Sequence, residues 1–327
     1  MTENLYSEAH AAGLISDGSF ERIRQRDLQP KLFSLHWEIK TLLYLGVLSL
    51  TSGLGLLIYD NINTLGHQFV LALIALICAG CFAYCIKFRQ PFSRDRVKAP
   101  DHYFDYLLLL ACTSLLIFVG YLQYAYQVFG TNYGLATFIP MLVLFFVAYY
   151  FDHLGILSMA IANLAVWMGV SVTPKHLLLN NDLDSETIIY TYLILGLALV
   201  AGAMLTQRYS FKHHFKFSYQ HYGLHVTYIA LLAGYFHFYE SPLAAAFMLG
   251  LIALSATMYF EAYRNRSFYF LLIVILYSYI ALSSLMVRLL MLMPDGGGLT
   301  LMLLYMPASG FGFVMLLIHL NKKLKQA

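Results

Sequence analysis

Ten continuous apolar runs occupy most of this chain, and each approaches or exceeds the roughly 18–20 residues needed to cross a bilayer core as a helix. They read as Leu42–Tyr59, Phe69–Ile86, Tyr103–Val128, Leu135–Tyr150, Leu154–Val172, Thr187–Thr206, Tyr222–Tyr239, Leu243–Ala262, Ser267–Leu290 and Leu299–Leu320. A strand barrel would alternate apolar and polar residues in short segments, and these runs do not alternate. The chain is 60% apolar and only 11% charged, against about 25% charged in soluble domains. The expected fold class is therefore all-α, a polytopic bundle of about ten spans. Two regions follow from this, a leader over residues 1–40 and a transmembrane domain over residues 41–327.

The stretch that orients the spans is Lys87–Lys98, KFRQPFSRDRVK, with five cations in twelve residues. Cationic loops between spans stay on the cytoplasmic side. Lys87, Arg89, Arg94, Arg96 and Lys98 thus anchor the topology. With the N-terminus inside and strict alternation, 18 of the 20 lysines and arginines fall inside. Lys175 falls in an outside loop and Arg288 in a span. Losing one span scrambles this pattern, so both termini are expected in the cytoplasm. The weakest point is the Asp152–His153 turn, which carries no Lys or Arg. If the fourth and fifth runs formed one re-entrant unit, the parity after them would fail.

Residues 1–35 hold no early apolar core of the kind a cleavable signal peptide needs. They read as two short helices, Thr2–Ala12 ended by Gly13, then one capped by Ser16 with Ile15 and Phe20 as a hydrophobic staple. Arg22, Arg24 and Arg26 make the second helix basic, and Pro30 ends it. Such a leader suits an anionic lipid surface, or a cytoplasmic protein partner bound at residues 1–35.

The text LLYLGVLSLTSGLGLLIYDNI at Leu42–Ile62, preceded by the turn Ala12-Gly13-Leu14-Ile15-Ser16, resembles the bacterial predicted membrane proteins called domain of unknown function 2157. Members carry a glycine-rich first span closed by an Asn-containing motif; Ile62 stands where they usually have Trp. The resemblance covers about the first 150 residues. It implies a bacterial inner-membrane protein and brings no activity or functional residue with it.

Few residues suggest chemistry. Cys78, Cys81 and Cys85 share one helical face, and small apolar packing is the simpler role for them than a soft-metal site. His221 and His225 stand at i, i+4, a spacing that can hold a metal or, with a histidine elsewhere, a haem; facing lipid headgroups is the simpler role. Arg288 lies 22 residues after Arg266, roughly 33 Å along a helix, so it is expected to reach the outer headgroups or Asp295. Tyr121, Tyr124, Tyr126, Phe129 and Tyr133 crowd one membrane interface, as a belt first and a solute-facing vestibule second.

The membrane centre holds no carboxylate, which argues against proton or ion pumping. Its polar groups are neutral, with Asn163, Ser255 and Thr257 near mid-span, and Ser278, Ser283 and Ser284 along the ninth run. Pro307, Ser309, Gly310 and Gly312 interrupt the tenth. A proline there withholds an N–H and presses on the carbonyl four residues back, so the site is expected to face protein or a cavity rather than lipid. Asn163, Ser255, Thr257, Pro307, Ser309, Gly310 and Gly312 are the expected cavity lining. No nucleotide-binding or zinc-protease motif occurs, no cofactor is expected, and nothing suggests nucleic acid. Two functions stay open: a permease-like carrier of a neutral or lipid-like solute, and a non-transporting scaffold or sensor whose leader binds a partner.

Reporter fusions test the orientation. Fusions at Met1, Asp95 and Ala327 should report cytoplasm, and fusions at Asn181 and Asp295 the opposite side. A C-terminal fusion reporting outside would make the number of spans odd.

Overall fold

In lipid, every backbone N–H and C=O must find a partner within the chain, and a helix is the simplest way to provide it. The computed structural model describes residues 15–18, 20, 35–101, 103–130, 133–172, 186–293 and 297–326. Among them are ten long α-helices and no strand. They are α1 (Leu35–Leu65), α2 (His67–Lys87), α3 (Phe104–Tyr126), α4 (Tyr133–Phe151) and α5 (Leu154–Val172), then α6 (Glu186–Arg208), α7 (Lys216–His237), α8 (Leu243–Arg264), α9 (Phe268–Met291) and α10 (Gly297–Gln326). A short 3-10 turn, His213–Phe215, precedes α7.

Two compact units result, Met1–Leu65 and Gly66–Ala327. In the first, α1 starts at Leu35, ahead of the apolar run at Leu42. Thr51 satisfies its hydroxyl on the carbonyls of Val47 and Leu48 in its own helix. Of the leader, Asp17 and Gly18 are helical and the Phe20 N–H donates to the Ser16 carbonyl at 2.9 Å, as a helix starting at Ser16 requires. The expected helix Thr2–Ala12, Gly13, the three leader arginines and Pro30 lie outside the described residues.

Among the described residues, eight helices are apolar and long enough to cross a membrane. In α1 the described apolar stretch, Thr41–Leu56, lies within a helix of 31 residues. One further helix departs from the expectation of ten similar spans. In α7, Gln220, His221 and His225 lower the hydropathy. That helix packs against α6, α8 and α9 and buries Gln220, Thr227, Tyr228 and Tyr235, so its polar groups meet protein instead of acyl chains. Close approach to α6 depends on two glycines. A Cβ on Gly196 would stand 2.6 Å from the Thr227 nitrogen, and one on Gly223 would stand 2.8 Å from the Val200 nitrogen. Small residues at such crossings let helix backbones touch, which is how helices associate in lipid without a hydrophobic drive.

The Asp152–His153 turn is a sharp reversal between two full-length helices, α4 and α5, each long and apolar enough to cross singly. Asp152 takes a left-handed φ of 61°, which a short polar side chain tolerates better than most. His153 Nδ1 accepts the Ile156 N–H at 3.1 Å and caps α5. The Asp152 side chain is buried and engaged three ways. Lys212 Nζ lies 3.2 Å from Oδ1, His214 Nε2 lies 2.5 Å from the same oxygen, and the Val97 N–H donates to Oδ2 at 2.5 Å. Lys212 is itself fully buried; its backbone N–H donates to the Arg94 carbonyl at 2.9 Å and its ammonium sits 5.0 Å above the Phe92 ring.

Three connections, α2–α3, α4–α5 and α6–α7, therefore meet at one end of the second unit. The cationic stretch is fastened there through its backbone. Arg94, Arg96 and Lys98 stay exposed, Arg89 lies over the Tyr150 ring at 4.8 Å, and Lys87 over Phe88 at 5.4 Å. Lys216 pairs with Glu261 at 2.9 Å, which brings the end of α8 to the same place. At the other end, Arg288 lies 4.1 Å from the Tyr239 ring. Its expected alternative partner, Asp295, lies outside the described residues.

Asp152→Ala would leave the Lys212 ammonium buried without its carboxylate, a change that costs about 3–5 kcal/mol. Thermal unfolding in detergent should show a large loss, and adding Lys212→Met should recover much of it. An unchanged melt in the single variant would mean that the cluster contributes little.

Candidate functional site

The wall between α8, α9 and α10 is built from side chains that stack one helical turn apart. On α10, Tyr305, Ser309, Gly312, Phe313 and Leu316 share a face; on α8 and α9, Leu251, Ser255, Val274 and Ser278 meet it. Together they line a cavity of about 670 Å³ that is open at the surface of the unit, within the size range of small-molecule sites. Its lining contains no charged residue.

Most hydroxyls in this wall are satisfied by bonds between helices. Tyr228 on α7 pairs with Ser255 on α8 at 3.2 Å, and Ser278 on α9 donates to Ser255 at 3.0 Å. Tyr279 pairs with Ser309 at 3.0 Å and Ser283 with Tyr305 at 3.0 Å, joining α9 to α10. A hydroxyl paired in this way costs little to bury, so the remaining surface presented to a solute is mostly apolar.

The residues expected in one lining are divided by the structure. Ser255, Ser309 and Gly312 line this cavity. Helix α10 continues through Pro307 from Gly297 to Gln326, and Pro307 is exposed and off the lining. Gly310 is likewise off it, because a 3.6-residue helix turns positions 307 and 310 away from the 305–309–312–316 face. Thr257 is exposed and returns its hydroxyl to the Ala253 and Leu254 carbonyls of its own helix at 3.2 and 2.9 Å. Asn163 lies elsewhere, on α5, where its Nδ2 donates to the Thr137 carbonyl of α4 at 2.8 Å.

The histidine pair stands beside the hydroxyl network. The His221 and His225 rings are 4.8 Å apart, edge to face. Tyr269 bonds His221 Nδ1, and Tyr277 bonds His225 Nδ1 at 2.8 Å. Tyr277 in turn stacks on Tyr228 at 4.8 Å. Each imidazole thus has one nitrogen held by a tyrosine of α9. Among the described residues no third His, Cys, Asp or Glu joins them in a metal-binding group. The four cysteines are free thiols; Cys78, Cys85 and Cys112 are buried, and Cys78 Sγ lies 3.5 Å from the Ala111 carbonyl between α2 and α3.

Sequence reasoning had no access to Lys212, His214 and Asp152 as a group, since 60 residues separate Asp152 from Lys212. Pro140, in the middle of α4, carried a readable signal, a proline inside an apolar run. The resemblance seen at Leu42–Ile62 is borne out by comparison. Residues 10–157 match the family described as Predicted membrane protein (DUF2157). No curated protein and no solved structure matches the chain. The DUF2157 match takes in α1 to α4 and the Asp152 turn, and it ends before α8, α9 and α10. It agrees with the fold in placing this protein in a membrane, with several apolar helices.

Proposed function

We propose that this is a permease-like protein of a bacterial inner membrane that carries a neutral, lipid-like solute through the cavity of α8, α9 and α10. In this reading all ten helices belong in the bilayer and both termini face the cytoplasm, which the distribution of cations supports. One observation carries the proposal: an uncharged cavity of about 670 Å³ at mid-helix whose hydroxyls, Tyr259 apart, are already hydrogen-bonded between helices. A charged solute would find nothing there to replace its water. An apolar chain with a small neutral head would find matching walls. The scaffold alternative rests on the leader, most of which lies outside the described residues.

The glycines of α10 supply the test. A side chain at Gly312 would point into the cavity, and one at Gly310 would not; neither Cβ would meet another atom within 4 Å. Purified protein is placed in liposomes with a fluorescent ceramide analogue, and its passage between leaflets is followed by quenching. Gly312→Phe should cut the rate about tenfold, as expected for ~1.4 kcal/mol of lost solute affinity, while Gly310→Phe stays near the parent. Equal rates in the two variants, or no protein-dependent passage, would overturn the proposal.

A further inference from the structure

A second cavity, of about 700 Å³, lies between α3, α4 and α5. It opens at the end of the bundle away from Asp152, where α3 stops at Tyr126 and α4 begins at Tyr133. It reaches down to Asn163, nine residues from either end of α5. Its lining contains no Asp, Glu, Lys, Arg or His. In contrast to the α8–α10 cavity, its polar groups are carboxamides and backbone carbonyls as well as hydroxyls.

Four observations define what would bind there. First, Pro140 on the wall has no N–H, so the carbonyl of Ala136, also on the wall, lacks its helical donor. Such a freed acceptor in lipid needs a partner. Second, Asn163 uses Nδ2 on the neighbouring Thr137 carbonyl, which leaves its Oδ1 as a second acceptor on the wall. Third, hydrogen bonds brace the described part of the mouth. Gln123 is buried and bridges the loop, donating to the Gly130 carbonyl at 2.8 Å and accepting the Phe129 N–H at 3.0 Å. That bridge and a Gly130 N–H to Gln127 carbonyl bond of 2.7 Å hold Gln127 at a left-handed φ of 47°. The Gln127 carboxamide makes no hydrogen bond among the described residues and offers both a donor and an acceptor. Fourth, Tyr124 and Tyr133 flank the opening, and aromatic faces pack against the C–H faces of a sugar ring.

We propose that this cavity binds a neutral polyhydroxylated group, either a free sugar or polyol or the sugar head of a glycolipid. Clustered acceptors call for a ligand rich in hydroxyl donors. The Gln127 carboxamide can bridge adjacent hydroxyls, and the lack of charge excludes anionic and cationic ligands. The site is separate from the α8–α10 cavity and does not depend on the carrier reading.

Trp167 reports on it. This tryptophan stands one turn from Asn163 on α5 and packs on Phe138 of α4, with ring centroids 5.1 Å apart. Only Trp37 shares its fluorescence, so Trp37→Phe isolates the signal. The full chain in phosphatidylcholine nanodiscs is titrated with glucose, myo-inositol and glucuronate, and is also prepared in nanodiscs containing monoglucosyl diacylglycerol. A saturable Trp167 response to glucose or inositol but not glucuronate supports the free ligand. A response to the glucolipid alone supports the lipid-borne head. Gln127→Ala and Asn163→Ala should weaken binding about five- to tenfold, as one lost hydrogen bond each. Gly120→Leu should abolish it with the melt retained, since Gly120 lines the cavity and its Cβ would meet nothing within 4 Å. No saturable response from folded protein, glucuronate binding as well as glucose, or full binding in Gly120→Leu would each overturn the assignment.

Discussion

One carboxylate ties the second unit together at its basic end. Asp152 accepts from Lys212, His214 and the Val97 N–H, and so joins connections that follow α2, α4 and α6. A buried ion pair is weak evidence of net stability, because desolvating two charges offsets much of their attraction. Its value lies in specificity: with Lys212 fully buried, any arrangement that separates the pair leaves a bare charge. The cationic stretch Lys87–Lys98 is thereby held by its backbone, with Arg94, Arg96 and Lys98 free to face headgroups.

The helix that starts from this cluster, α7, is the least lipid-like of the unit and the most enclosed. Its polar side chains form the bonds that align its neighbours: Tyr228 to Ser255 on α8, His221 to Tyr269 and His225 to Tyr277 on α9. Gly196 and Gly223 bring α6 against it at backbone distance. Directional bonds and close backbone contact take over here the role that hydrophobic burial has in water.

Two cavities flank this arrangement with different chemistry. Between α8, α9 and α10 most hydroxyls are spent on bonds between helices, and the walls present mainly apolar surface. Between α3, α4 and α5, Pro140 and Asn163 leave acceptors open, and Gln127 is held at the mouth. Both sites contain an interrupted or glycine-bearing helix, which is where a lipid-embedded backbone can offer polar groups at all.

The ten helices were legible in the chain to within a few residues at most ends, with α1 starting earlier than its apolar run. A long continuous apolar segment satisfies its backbone in lipid most simply as a helix. The DUF2157 resemblance was legible too, from Leu42–Ile62 and the Ala12–Ser16 turn. The rotation of each helix about its own axis was not. A segment apolar all round carries no stripe to say which face meets protein. Thus Asn163 and Ser309, both polar and both near mid-span, could be assigned to a single lining from the sequence, yet they stand in separate cavities. Pro307 could be placed on the cavity wall, yet it lies off the lining while Ser309 and Gly312 face inward. The pairing of Asp152 with Lys212 was equally hidden, because a contact across 60 residues depends on how helices pack, and local pattern records only where each helix begins and ends.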